Sequence, residues 1–428
     1  MPPESAALAP IRRGDISRTV DYRHTTNDSA VLQAVLDHGP VARSTVARLV
    51  GLSPAAVSRL SADLIVAGLL HESVQETGAK SVGRPHVPLQ IDISRRVALG
   101  LHIAFRHTVL AVLDLRGHVI ASELIPHQGT DPRQLMSRLA ARIPGFVAKH
   151  AAGRIPVGLG IATGGWVDRA DGVIIEHAML GWRDVPVRQA FAEATGLPVR
   201  VDNHARALAR AEQLFGDPRA RTSMVHLFVG NMIDVAFVTS GRIHHGPQSA
   251  AGATAHLPLE GRSERCPCGR RGCLQAVVSS HELGVRAARE GVIPEPSFER
   301  LLSAARVGDR RAAGLFHERA RLLGGVAALL LDLLNPELLV VTEQGVRHVP
   351  GCLEILRAEV SERSRLCADP GRSIVAASFG DDVLPVAAGT VILDALYASP
   401  LRRGHAIPVH SPDSVDSIRT ADNYRSIG

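Results

Sequence analysis

Apolar residues recur at helical spacing in three short segments near the amino terminus of the chain. The first covers residues 29–37 and the second covers residues 43–49. A third segment begins after Ser53, whose hydroxyl can cap the free amides of a first helical turn, and it ends at Gly68. Gly51 provides the tight turn between the second and third segments. The pattern therefore predicts a helix-turn-helix layout.

The chain after this layout changes from helical to strand-like periodicity. Residues 69–91 hold two short apolar segments around a glycine-rich loop, as in a wing. From Val97 onward, apolar strands alternate with helical segments, which predicts an α/β domain with a mixed sheet. We therefore expect a winged helix-turn-helix domain over residues 28–92 and an α/β body over residues 93–400. The polar, unpatterned residues 1–27 and 401–428 are predicted to be a disordered arm and tail.

The predicted helix-turn-helix has a surface that suits DNA. No acidic residue occurs between Gly39 and Ala62, so an exposed third helix could enter a major groove without repelling phosphates. The start of the second helix offers amides and hydroxyls to a phosphate, and an arginine between glycine and proline suits a narrow minor groove. The candidate DNA contacts are Arg43, Ser44, Thr45, Ser53, Ala55, Ala56, Ser58, Arg59 and Arg84. The alternative is a three-helix bundle that binds no nucleic acid.

Three of the five cysteines lie close together and near a histidine. His256, Cys266, Cys268 and Cys273 fall within eighteen positions, and two glycines lie between the last two thiols. Thiolate and imidazole are the ligands that tetrahedral zinc prefers, and a closed set of four ligands is typical of a structural site. We therefore predict a structural Zn²⁺ in the loop 256–273. The alternative is a loop of reduced thiols that lie near one another by chance.

Composition sets limits on the location and partners of the protein. The chain has 428 residues and a formal net charge of +6, which permits nucleic-acid binding without arguing for it. It has no secretory signal at its start and no uninterrupted apolar run of about 18 residues, so no membrane partner is expected. Clustered thiols without a secretion signal favour a reducing compartment. We expect a cytoplasmic protein.

Several motifs of the body follow one another in an order that is characteristic of a known family. A glycine-rich segment at 158–168 is followed by Gly-Trp-Arg-Asp at 181–184, by Val-Asp-Asn-His-Ala at 201–205 and by the cysteine-rich loop. Together they resemble the ROK family, named for repressors, open reading frames and sugar kinases, and the resemblance covers about residues 28–400. It implies an actin/hexokinase-like, two-lobed body behind a winged helix-turn-helix. It also implies a homodimer, or a dimer of dimers, bound to an inverted-repeat operator in double-stranded DNA. We expect apolar helices such as 312–334 to supply the dimer contact.

The residues that a ROK sugar kinase needs for phosphoryl transfer are replaced. The Asp-x-Gly-Gly-Thr pattern of the family is 102–106 here, with His102 at the position of Asp. The second phosphate loop, rich in glycine in the family, is 230–236 here and includes Asp234. His204 stands at the position of the catalytic Asp. Since phosphates need bare backbone amides and the sugar hydroxyl needs a general base, we predict a regulator without enzymatic activity. An atypical sugar kinase with a regulatory head is the alternative, and a scaffold whose head binds protein is a third option.

The resemblance also implies an effector site whose recognition of sugar is altered. Ala253, His204 and Gln275 stand where the family has three carboxylates, the groups best suited to pyranose diols. The tentative effector residues are Gly165, Asn203, His204, His256 and Gln275. Two interpretations stay open. The pocket could read a modified sugar or another metabolite, or it could have lost its ligand altogether.

Overall fold

The computed structural model describes residues 26–73 and 87–401. The predicted arm and tail therefore lie almost entirely outside the described residues. The same holds for Arg84 and for the loop of the predicted wing.

The head of the molecule, residues 26–92, consists of three helices and a pair of short antiparallel strands in its described part. Its elements are α1 (Asn27–His38), α2 (Arg43–Val50), α3 (Pro54–Val66), β1 (Leu70–Glu72) and β2 (Leu89–Ile91). The helices start and stop close to the predicted positions because the signals are local. Ser53 Oγ accepts a hydrogen bond from the amide of Ala56 at 3.2 Å, and Gly51 adopts the left-handed φ of 69° that the turn needs. The chain bends by 112° between α2 and α3.

The first lobe of the body is built on a five-stranded sheet in the order β10-β6-β3-β4-β5. Its elements are β3 (Arg96–Ile103), β4 (His107–Leu113), β5 (Val119–Pro126), α4 (Pro132–His150), β6 (Ile155–Thr163), β7 (Trp166–Asp168), β8 (Val173–His177), β9 (Trp182–Val185), α5 (Val187–Thr195), β10 (Val199–Asn203) and α6 (His204–Phe215). Strand β3 pairs antiparallel with β4 and parallel with β6, so the prediction of a mixed sheet is confirmed.

The second lobe contains another five-stranded sheet, in the order β13-β12-β11-β14-β15. Its elements are β11 (Met224–Val229), β12 (Ile233–Thr239), β13 (Arg242–Ile243), α7 (Leu274–Val278), α8 (Ser280–Arg289), α9 (Phe298–Arg306), α10 (Arg310–Leu334), β14 (Leu338–Glu343), α11 (Gln344–His348), α12 (Cys352–Arg363), α13 (Pro370–Ser373) and β15 (Ile374–Ala376). The segment that would carry zinc lies between β13 and α7.

The last helix of the described chain, α14 (Val383–Ala398), returns to the first lobe and lies directly on its sheet. Two glycines of the sheet allow this close approach. A Cβ added at Gly160 would stand 2.1 Å from the carbonyl oxygen of Ala388, and one at Gly100 would stand 2.7 Å from the amide of Gly389. Any side chain at either position would push α14 off the sheet.

The head packs on the body through a shared hydrophobic core, which includes residues of α1 and α3 together with residues of β4 and α14. Polar contacts reinforce this junction. The guanidinium of Arg221 donates to both oxygens of Asp37 at 2.9 and 2.7 Å, and Ser29 Oγ donates to the carbonyl oxygen of Tyr397 at 2.6 Å. A displacement of α14 would therefore move the head with it.

Helix α10, which was expected to supply a dimer contact, has a mostly buried apolar face. Leu315, Leu323 and Leu331 lie in the interior of the second lobe, and α10 packs against α12. Only its last two turns present exposed leucines, at Leu329, Leu333 and Leu334.

Among the described residues, no single helix is long and apolar enough to cross a membrane. Helices α2 and α3 reach that length and composition only when they are counted together as one sharply bent pair.

Candidate metal centre and interlobe cleft

The side chains of His256, Cys266, Cys268 and Cys273 converge, and their ligand atoms all lie within 4.8 Å of one another. His256 Nδ1 is 3.5 Å from Cys266 Sγ, and the sulfurs of Cys268 and Cys273 are 3.7 Å apart. Sulfurs at about 2.3 Å from a tetrahedral zinc ion would be about 3.8 Å from each other. The donor set and its spacing therefore fit a single metal ion.

The backbone of this loop explains how the thiols can converge. Gly269 and Gly272 both have positive φ, 87° and 67°, and a Cβ at Gly272 would stand 2.4 Å from the carbonyl oxygen of Arg262. The amide of Arg270 lowers the pKa of Cys268 to about 7, whereas burial raises the pKa of Cys266 to about 11. One thiol of the set is thus ready to lose its proton, and a bound cation would favour the loss of the others.

The predicted DNA contacts within the described residues lie at or near the surface of the head, and two of them, Ser53 and Arg43, make contacts within the head. Ser44, Ala55, Ser58 and Arg59 are exposed, and Thr45 and Ala56 are half-buried. The hydroxyl of Ser53 is the cap of α3. Arg43 does not extend freely into solvent, because its guanidinium forms an ion pair with Glu72 on β1 at 2.6 Å. Arg84 lies outside the described residues.

In the cleft between the lobes, the three replaced kinase positions contact one another. His204 Nε2 lies 2.9 Å from Asp234 Oδ2, and His204 Nδ1 lies 3.4 Å from His102 Nε2. The two imidazole rings are stacked with an interplanar angle of 3°, and all three side chains are buried. The sequence predicted Asp234 in the former phosphate loop, but it did not predict the pairing of Asp234 with His204. The available signal was the complementary chemistry of a carboxylate and an imidazole in two adjoining motifs.

The tentative effector residues lie around the same cleft, but most of their polar groups are already used. Asn203 Nδ2 donates to the carbonyl oxygen of Gly165 at 2.9 Å, and Asn203 Oδ1 accepts from the amide of Ala205. Gln275 Oε1 accepts from the amide of Ile233 at 3.1 Å, and His256 belongs to the metal-binding set. A sugar that binds these groups would compete with their internal hydrogen bonds.

A cavity of about 150 Å³ lies in the cleft and is lined by residues of both lobes. His204 is the one tentative effector residue in its lining, which excludes Gly165, Asn203, His256 and Gln275. The cavity extends instead toward Phe105, Phe298 and the start of α14. The assignment of these five residues to an effector site stays a prediction.

Burial keeps several histidines of the body neutral. It lowers the pKa of His226 to about 3 and that of His177 to about 4, and it lowers the pKa of His102 well below its usual value. In the unfolded chain these groups titrate near pH 6.5. Between pH 6.5 and pH 4 the unfolded chain therefore binds more protons than the folded chain, and the free energy of unfolding falls as the pH falls.

We expect each of these histidines to remove roughly 1.4 kcal/mol of stability per pH unit below pH 6.5. The measurement is urea unfolding at pH 7, 6 and 5 for the wild type and for His226→Gln, which retains a hydrogen-bonding group near Thr342. The variant should show the shallower dependence on pH, even if it is less stable at pH 7. Equal slopes for the two proteins would contradict the burial of a neutral imidazole at this position.

The sequence of this chain is similar to those of a known protein family. Residues 98–391 match the ROK family. The chain belongs to that family. Transcriptional regulator Rv0485 of Mycobacterium tuberculosis is 33% identical over 404 residues, which covers 90% of this chain and 90% of the relative. The DNA-binding transcriptional repressor Mlc of Escherichia coli is 25% identical over 335 residues, or 75% of this chain and 82% of the relative.

Solved structures of ROK proteins have the same fold. A ROK family transcriptional regulator described as a homologue of Escherichia coli Mlc superposes with a TM-score of 0.72 at 26% identity, over 89% of this chain and 98% of that chain. A ROK family glucokinase from Streptomyces griseus superposes with a TM-score of 0.60 at 22% identity, over 68% of this chain and 98% of that one. The regulator superposes over a larger share of this chain than the kinase does.

Proposed function

We propose that this ROK protein is a DNA-binding transcriptional regulator, and that it acts as a repressor. The observation that carries this proposal is the exposed surface of α3, where Ala55, Ser58 and Arg59 face solvent without a neighbouring acidic side chain on the same turn. The bend between α2 and α3 is within the range of helix-turn-helix motifs, in which the second helix enters the major groove. Arg59 would read a base edge, and the start of α2 would contact the phosphate backbone.

Two heads are needed to read an inverted repeat, so we propose that the protein acts as a homodimer or a dimer of dimers. The exposed leucines of the second lobe support an interface there. Leu329 and Leu333 lie one turn apart at the end of α10, and Leu366 is exposed on the segment that Asp332 of the same helix holds by hydrogen bonds. A second copy would remove these side chains from water.

We assign the metal site to Zn²⁺ in a structural role. His256, Cys266, Cys268 and Cys273 would complete its coordination, which leaves no open position for a substrate. The ion would supply folding energy by cross-linking the long segment between β13 and α7. Cys273 is the residue before α7, and Gln275 lies in the first turn of that helix. Zinc would therefore also fix the wall of the interlobe cleft.

The residues of the cleft do not suit phosphoryl transfer. Met232 and Asp234 occupy the loop where glycines would have to expose their amides to phosphates. His204 stands in place of a catalytic carboxylate and is already paired with Asp234. A sugar kinase with a regulatory head is thus the weaker candidate.

The proposal is tested by exposing the purified full-length protein to fragmented genomic DNA of its source organism. We expect enrichment of a small set of fragments that share an inverted repeat. We also expect no ADP formation when ATP and a panel of sugars are added. Failure to retain any duplex at low salt, or sugar-dependent release of ADP, would overturn the assignment.

A further inference from the structure

The cleft between the lobes is crossed by side chains that the second lobe extends toward the first. Asp234 of β12 lies 2.9 Å from His204 Nε2, and its Oδ2 accepts a hydrogen bond from the amide of Gly165 at 3.3 Å. Met232 packs against the glycine-rich turn, since a Cβ at Gly164 would stand 2.7 Å from Met232 Cγ. These contacts join the two lobes at Gly165 and His204, two of the tentative effector residues.

Hydrogen bonds from α7 and α8 hold the segment that carries these side chains. Gln275 Oε1 accepts from the amide of Ile233 at 3.1 Å, and Gln275 Nε2 donates to the carbonyl oxygen of Asn231. The carbonyl oxygen of Gly230 accepts from the amide of Ser280 at 2.8 Å. The loop is therefore fixed at both ends, and Met232 and Asp234 project from a rigid base.

The three residues that differ from the kinase pattern, at positions 102, 204 and 234, complement one another chemically. A carboxylate at position 204, as in the kinase pattern, would lie against the carboxylate of Asp234, and two such groups repel at this distance. With histidine at 204 and at 102, the buried carboxylate instead meets an imidazole, which in turn contacts a second one. The buried pair of Asp234 and His204 favours one arrangement of its surroundings.

We propose that the side chains of Asp234 and Met232 fill the effector site, and that they hold the two lobes closed without any ligand. This inference rests on the proposed function, because its consequence is regulatory. In this proposal the body is closed without a ligand, and the closed body is the form that binds the operator. A neutral monosaccharide then meets the polar groups of Gly165 and His204 already paired with Asp234, and it does not release the operator.

Helix α14 connects the closed cleft with the head. Its first turn lines the cavity at Val383, and its middle carries Asp394, which accepts from Arg169 Nη2 and from Arg210 Nε at 2.6 Å each. Its last turn holds Ser29 of the head through the carbonyl oxygen of Tyr397. Separation of the lobes would therefore shift the helix on which the head rests.

The test uses hydrogen exchange on the full-length protein without DNA, followed by operator binding. We expect Asp234→Ala to increase exchange in residues 164–169 and 230–236 and to weaken operator binding about fivefold or more. His204→Asp, which opposes two carboxylates, should do the same, whereas the exchange of partners in His204→Asp/Asp234→His should restore protection. Asp171→Asn removes an exposed carboxylate from the first lobe, which also carries His204, and should change neither measurement.

Zinc content and thermal unfolding verify that each variant is folded. The double variant distinguishes loss of the His204–Asp234 pair from unfolding of the chain. Wild-type protection in both single variants would overturn the inference, and so would release of the operator from the wild type by millimolar xylose or glucose. If the wild type binds no DNA, the proposed function fails, but the exchange measurements still decide whether the cleft is closed by Asp234.

Discussion

Cys273→Ser is expected to lose stoichiometric zinc and to lower the midpoint of thermal unfolding by about 10 °C or more. The estimate assumes that a structural zinc supplies several kcal/mol of folding energy to a domain of this size. Cys273 is buried, and it precedes Leu274, which lies in the core of the second lobe. Loss of the ion would therefore loosen α7 as well as the loop. Metal analysis and scanning calorimetry measure the two effects.

The matched control is Cys367→Ser, because Cys367 is a thiol of the same lobe outside the metal-binding set. It should retain one zinc per chain and unfold near the wild-type temperature. Treatment of the wild type with a strong chelator should reproduce the destabilisation of Cys273→Ser. One tightly bound zinc per chain in Cys273→Ser would refute the assignment of this ligand.

Arg59→Ala is expected to weaken operator binding by about 1–3 kcal/mol, or roughly 5- to 150-fold, and to relax the sequence preference at one position of each half-site. Arg59 is exposed on α3 and forms no ion pair with another described residue, so its guanidinium is available to a base edge. Arg84→Ala should also weaken binding, but through the minor groove of A·T-rich flanks. Titration of labelled operator with each variant gives the affinities.

Arg133→Ala provides the control for these substitutions, since it removes one exposed arginine from α4, far along the chain from the head. It should leave operator affinity close to that of the wild type at the same salt concentration. If Arg59→Ala bound the operator as tightly as Arg133→Ala, α3 would not be the reading helix. Wild-type affinity in Arg84→Ala would count against the minor-groove contact alone.

The sequence predicted the elements whose causes are local. Ser53, Gly51 and the apolar periodicity of residues 29–68 determine where the helices of the head start and stop, because capping and turn formation involve only neighbouring residues. The metal-binding set was predictable for a similar reason, since three of its four ligands lie within eight positions. The mixed sheet of the first lobe followed from the alternation of strands and helices.

The sequence by itself thus determined the helices of the head, the family of the body and the residues able to bind a metal. Only the tertiary structure decided that Asp234 pairs with His204, that Gln275 holds the loop before β12, and that Asp37 binds Arg221. Each of these contacts joins residues 30 or more positions apart. The physical reason is that such pairs form only when the two sheets and α14 pack together, and local periodicity carries no information about that packing.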